Sequence, residues 1–276
     1  MLLKVHHTTR YSYDAPVRTL VQSHRMMPSV FEGQKVLNWE VSVTSGQKGG
    51  GFRDGAGDWI QAWTVIGPVS EVEVVVQGLV ETVDLAGVLR GHRETVCPDV
   101  YLRETHLTYA DDKVQALAAG VDHGSGPLSL AHALSHRVAE AITYRPGATD
   151  AATSASEAVE RGEGVCQDHA HVLIALAKAL GMPARYVSGY LLADSDGVAH
   201  EAAHAWAEVY VKDLGWVGFD PANECCPDDR YIRVGSGFDA QDAAPIRGIA
   251  RGPGEESLVV TVKVEESAQT QAQSQQ

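Results

Sequence analysis

Gly164-Val165-Cys166-Gln167-Asp168-His169-Ala170 runs into an apolar stretch in which Val172, Leu173, Leu176 and Leu180 recur at helical spacing until Gly181 and Pro183 stop it. The spacing predicts a helix that begins at the cysteine. At such a start the first backbone N–H groups lack acceptors and the macrodipole presents its positive end, and both effects favour a thiolate. A cysteine on a helix is often a small core residue. Here Gly164 permits close backbone approach, and the polar pair Gln167 and Asp168 points to the wet edge of a cleft. Cys166 is therefore the candidate nucleophile, and its own N–H a ready donor to an oxyanion. A second donor is not legible from sequence; Tyr144 and Gln167 are the candidates.

Two later segments supply what a thiolate needs. His204 opens His-Ala-Trp-Ala-Glu-Val-Tyr-Val, a strand pattern in which Trp206, Glu208 and Tyr210 share its face. Ala205, Ala207, Val209 and Val211 take the other face and are expected on the core, leaving His204 toward the cleft. Asp220 closes Gly-Trp-Val-Gly-Phe-Asp-Pro. An aspartate before proline is commonly a turn residue. If Val211 pairs with Gly215, however, Asp220 falls opposite Trp206 and diagonal to His204, roughly 7 to 8 Å away between backbones. A carboxylate there would hold the imidazole tautomer and stabilise its cation. Trp206 and Trp216 are candidate cleft walls, although large aromatics near a sheet are more often core.

These segments, in the order Cys, His, Asp, resemble the core of the transglutaminase-like superfamily, papain-like thiol enzymes that include transglutaminases and many bacterial candidate cysteine proteases. Tyr144-Arg145-Pro146-Gly147-Ala148-Thr149, Gly181-Met182-Pro183-Ala184-Arg185-Tyr186-Val187-Ser188-Gly189-Tyr190 and Ala244-Pro245-Ile246-Arg247-Gly248 extend the resemblance. His7-Thr8-Thr9-Arg10-Tyr11-Ser12-Tyr13 and Arg25-Met26-Met27-Pro28 look like the amino-terminal β domain that precedes this core in a bacterial branch. The similarity runs to about Glu265. Ala222 departs from it where Thr usually follows Asp-Pro, as does Gly237-Phe238-Asp239-Ala240 where Gly-Arg-Asp-Tyr is usual. The resemblance implies acyl transfer from a peptide or protein substrate through Cys166, His204 and Asp220, with no metal or organic cofactor. Hydrolysis is favoured, and protein-glutamine transamidation by the same residues is the alternative.

The periodicity predicts an α+β protein. Leu37, Trp39, Val41 and Val43, and later Val72, Val74 and Val76, alternate with polar residues as strands with one wet face do. An antiparallel β-sandwich is expected over 1–83, with the Gly- and Asp-rich stretch 49–58 as a loop. A linker follows over 84–110. The core is expected over 111–265, a papain-like arrangement with the cysteine helix packed on an antiparallel sheet. Val114, Leu117 and Ala118, then Leu130, Leu134, Val138 and Ile142, mark its first helices, and Ser154 with Glu157 forms a capping box ahead of a short one. Strands are expected at 184–192, 204–211, 216–220 and 258–264, and 266–276 reads as a disordered tail.

With 276 residues and 44% hydrophobic composition the chain can bury a core, and its net charge of −14 argues against nucleic acid or an anionic membrane as partner. The apolar stretch at Met1-Leu2-Leu3 is too short for a signal peptide, so a cytoplasmic protein is expected. Its four cysteines, at 97, 166, 225 and 226, form no CxxC pair and should stay reduced there. Cys225 and Cys226 read as spectator thiols. One rival motif exists: His200-Glu201-Ala202-Ala203-His204 matches the HExxH zinc-protease pattern, with Glu224 twenty residues beyond as a possible third ligand. Val209, Tyr210 and Val211 favour a strand instead, which would separate the two histidines. A noncatalytic binding domain would predict a broken triad, and here all three positions are filled.

Overall fold

The computed structural model describes residues 1–121, 126–192 and 203–267. Residues 268–276 of the expected tail lie outside these, as do His200 and Glu201 of the HExxH motif. Four strands come first: β1 (Leu2–His24), β2 (Gln34–Val43), β3 (Gly46–Arg53) and β4 (Trp59–Thr82). The helical region holds α1 (Asp112–Ala119), α2 (Pro127–Ala141), the two-residue β5 (Thr143–Tyr144), α3 (Ala155–Arg161), β6 (Glu163–Gly164) and α4 (Cys166–Ala179). Then come β7 (Ala184–Leu191), β8 (Ala203–Val211), β9 (Gly215–Phe219), β10 (Tyr231–Gly237), β11 (Ile246–Arg251) and β12 (Glu256–Glu266).

The amino-terminal unit is built on two long antiparallel strands. The first half of β1 and the second half of β4 lie between β12 and β2, and their other halves between β11 and β3. Inward residues of both halves, among them Tyr11, Leu20, Val43, Val65 and Val74, form one apolar cluster, the packing of a sandwich. Two expectations need correction. The stretch expected as a loop over 49–58 begins as strand, because β3 pairs along β4 through residue 53. Glycine suits that edge, since a Cβ on Gly51 would sit 2.5 Å from the Trp59 ring. The strand expected at 258–264 forms within β12 but does not join the core sheet; it pairs with β1 from Tyr13 back to Leu3. Its alternation specified a strand and left the partner open.

The second sheet, ordered β10-β7-β8-β9, is antiparallel throughout. Helix α4 packs across it, and Ala170 and Val172 through Ala177 are wholly buried against Ala205, Ala207, Val209 and Val211. A helix apolar nearly all round needs neighbours on every side, and α1, α2 and α3 supply them. The capping box is present at α3, where Ser154 accepts from the Glu157 N–H and Glu157 accepts from the Ser154 N–H, with left-handed Gly162 at the end.

Polar contacts join the two units. Asp58 of the first accepts from Arg233 Nη1 of the second at 3.1 Å, and from the Ser236 N–H at 2.7 Å. Arg233 Nε donates to Glu208 at 2.7 Å, Glu208 accepts from Arg185 Nε at 2.7 Å, and Arg185 continues to Glu94 in the 84–110 segment. Burial alone would push the Glu208 carboxyl up, but the charges of Arg233 and Arg185 hold it down at about 2. The 84–110 segment also lies along β9, with the Leu89 N–H donating to Trp216 O and the Gly218 N–H to Gly87 O, each at 2.9 Å.

Candidate active site

Cys166 is the first residue of α4, and its side chain is 8% exposed. The helix start is fixed by Asp168, whose Oδ2 accepts from the Val165 N–H at 2.7 Å and from Thr149 Oγ1 at 2.5 Å. Being first in the helix, Cys166 has an N–H with no intrahelical acceptor.

His204 reaches the same place from β8. Val211 pairs with Gly215 and Ala207 with Phe219. That register, carried one residue further, puts Asp220 opposite Trp206 and diagonal to His204. The His204 Nε2–Asp220 Oδ2 distance is 2.6 Å. Cys166 and His204 line one cavity, and Cys166 is a further group that favours the protonated ring. Burial opposes the imidazolium, yet the hydrogen bonds to Asp220 and Cys166 and their charges outweigh it and raise His204 to about 10.

Asp220 is 1% exposed and fully engaged. Its Oδ2 also accepts from Asn223 Nδ2 at 2.7 Å and Tyr231 Oη at 2.8 Å, and its Oδ1 from the Ala222 N–H at 3.1 Å and the Asn223 N–H at 3.3 Å. Burial would raise its pKa, but the bond to His204, the imidazolium charge and the Asn223 and Tyr231 bonds lower it. The turn expected of Asp-Pro is present together with the contact to histidine.

A cavity of about 250 Å³ opens on Cys166, Gln167 and His204. Tyr186 and Tyr190 of β7 line it, as do His7 and Met26 from the amino-terminal unit. Gln167 is thus where the sequence put it. Tyr144 is not among the described lining residues; its ring packs against His169 with centroids 6.1 Å apart. Trp206 also lies elsewhere. At 2% exposure it stacks on His204 at 6.4 Å and meets Tyr231 edge-on at 5.5 Å, so it backs the imidazole from inside the protein. His204 lines the cavity, but its neighbours on the same face of β8 do not: Trp206 and Glu208 are both 2% exposed, because Arg185, Arg233 and Tyr231 cover them. Trp216 likewise packs inside, beneath the Arg185 guanidinium at 4.0 Å. Among the described residues no three His, Cys, Asp or Glu side chains are grouped to hold a metal ion.

The family model of the transglutaminase-like superfamily matches residues 115–221, and that of the bacterial transglutaminase-like N-terminal region matches residues 3–81. Residues 115–221 are a transglutaminase-like core. Its fold is similar to that of a candidate cysteine protease from Cytophaga hutchinsonii, with a TM-score of 0.71 at 22% identity over 97% of this chain and 92% of that one. It is 28% identical over 274 residues to an uncharacterized protein of Mycobacterium leprae, spanning 95% of this chain and 98% of that protein. It is also 28% identical over 119 residues to a protein-glutamine gamma-glutamyltransferase of Pseudomonas aeruginosa, covering 41% of this chain but 17% of that protein.

Several residues at the site were missed by sequence reasoning. Asn223, three positions past Asp220, had a signal in the Asx-turn spacing. Asp168, expected with Gln167 at a wet cleft edge, is instead 1% exposed and anchors the helix start, a role signalled by an acidic residue at the third helical position. Tyr231, Tyr186, His7 and Met26 had no such signal, since strand pairing and contact between the two units bring them in.

Proposed function

We propose that the chain is a thiol-dependent acyl-transfer enzyme acting on peptide or carboxamide bonds of a peptide or protein substrate. The observation that carries this reading is the buried His204–Asp220 pair at 2.6 Å, which shares one cavity with the cysteine that starts α4. The Cys166 thiol gives its proton to His204 and its sulfur attacks the carbonyl carbon while the Cys166 N–H faces the developing oxyanion. The C–N bond then breaks and the His204 imidazolium gives its proton to the leaving amine. Neutral His204 next takes a proton from the nucleophile that resolves the thioester, and Asp220 stabilises the cation each time it forms. Water as that nucleophile gives a carboxylic acid and restores the thiol. Among the described residues that line the cavity none marks a channel for an amine, which favours hydrolysis. All four cysteines are free, in keeping with the cytoplasm, where we place the protein.

Transamidation is the second reading, and the similarity to a gamma-glutamyltransferase favours it. A glutamine-containing peptide library, a labelled primary amine and heavy-oxygen water, analysed together by mass spectrometry, separate the two. Heavy oxygen in the acid product with little amine adduct is the expected result. Predominant adduct at modest amine concentration would make the enzyme a transamidase, and absence of both products would remove the activity altogether. Turnover that survives Cys166→Ala would also contradict the proposal.

A further inference from the structure

We propose that the amino-terminal β domain closes the acyl-donor pocket and restricts it to substrates with an uncharged, apolar side chain beside the reacting carbonyl. The inference rests on the reading of Cys166 as nucleophile only in naming the pocket's occupant an acyl donor. The cavity is shared between the two units: Cys166, Tyr190, Ala205 and Val234 come from one, His7 and Met26 from the other. Met26 is held in place by its neighbours. Its carbonyl accepts from Trp39 Nε1 at 2.9 Å, and the adjoining Arg25 N–H donates at 2.7 Å to the carbonyl of Pro245, itself a lining residue.

No Asp, Glu, Lys or Arg is found among the described residues that line the cavity. Three of its polar side chains on β1 and β7, His7, Tyr190 and Ser188, are already engaged. Both His7 ring nitrogens have partners, Tyr190 Oη at 2.8 Å and Thr9 Oγ1 at 2.9 Å. Burial first, and then the charge of His6, lowers His7 to about 4, so it is neutral at physiological pH. The Ser188 hydroxyl turns to the carbonyls of Ala243, at 3.1 Å, and Gly235, at 3.4 Å. Among the described residues a ligand therefore meets neutral walls away from Cys166, Gln167 and His204. A carboxylate or ammonium entering there would be stripped of water with no counter-charge, whereas an apolar side chain loses nothing and gains burial. A dry apolar cavity of about 150 Å³ takes up benzene, so the 250 Å³ here has room for a leucine or phenylalanine side chain. Met26 is the apolar side chain that the amino-terminal unit contributes to the lining, and it sets the depth.

Binding to the full chain carrying Cys166→Ala tests this without any chemistry, using the N-acetyl amides of phenylalanine, leucine, glutamate and lysine in NMR titrations. The phenylalanine and leucine amides should bind at least about tenfold more tightly than the charged pair, a difference of about 1.4 kcal/mol. Met26→Trp should remove phenylalanine binding, and Met26→Ala should shift preference toward naphthylalanine amide, with circular dichroism checking that each variant is folded. Equal binding of charged and apolar amides, binding of neither, or folded Met26 variants with unchanged preference would overturn the proposal. A native chain whose Cys166 proves unreactive would leave these ratios intact, so the two readings fail separately.

Discussion

At the scale of the residue, the proposed chemistry depends on what Asp220 does to His204. An imidazole at 6% exposure would ordinarily lose its proton easily, and here it is held to about pH 10. The alkaline fall of kcat/KM should therefore lie well above pH 7 in a pH–rate profile. Asp220→Asn should move that fall to lower pH and reduce the plateau by a factor on the order of 10² to 10⁴. An unmoved alkaline limb would deny Asp220 its part. The raised pKa also has a consequence for stability. Its contribution is complete below the unfolded value of 6.5 and vanishes as pH rises through about 10. Chemical denaturation of His204→Gln should accordingly show a larger deficit at pH 6 than at pH 10. Cys166, His204 and Asp220 were legible in sequence because each sits at a local signal: a helix start, a strand start, an Asp-Pro turn. Tyr231 and His7 were not, since only tertiary pairing brings them to the site.

At the scale of the element, the site depends on a helix start and on one strand crossing. Asp168 Oδ2 anchors the α4 start through the Val165 N–H and Thr149. Asp168→Ala leaves that N–H with no side-chain partner and should cost roughly 1 to 3 kcal/mol in urea unfolding, with a fall in turnover as Cys166 loses its place. Full activity at wild-type stability would show that the anchor is dispensable. On β7, Gly189 pairs with His204, and a Cβ there would lie 2.2 Å from the Ile232 carbonyl oxygen and 2.6 Å from the Trp206 ring. Gly189→Ala should therefore destabilise the chain by at least 1 to 3 kcal/mol, as overpacking does. The helices were the most readable elements, because caps and a 3.6-residue period are both local. Two β segments were misread, β3 because its glycines resemble a loop and β12 because alternation does not name a partner. Trp206 was offered as a cleft wall for the same reason: period 2 puts it on the face of His204 but does not say that it is covered.

At the scale of the whole molecule, the two units are joined by charge as well as by β11 and β12. Arg233 lies between Asp58 and Glu208, and its loss would leave both carboxylates buried without that partner. Arg233→Leu should cost about 3 to 5 kcal/mol in denaturant unfolding. Glu208, depressed from 4.5 to about 2, adds stability above pH 4.5 that disappears as pH falls through about 2, so acid unfolding should be concentrated in that interval. The sequence showed an α+β chain with a sandwich first, but the return of its last strands to the first sheet is a long-range pairing that no local pattern encodes. The central claim, that this assembly makes Cys166 a nucleophile, is tested most directly by residue-resolved alkylation of the native chain at neutral pH. Cys97 is exposed and Cys166 is 8% exposed, while burial, first among the causes, raises both Cys225 and Cys226. Access alone would make Cys97 the fastest. The account predicts that Cys166 reacts first and that His204→Ala abolishes its lead; Cys97 reacting first, or a Cys166 rate indifferent to His204, would contradict it.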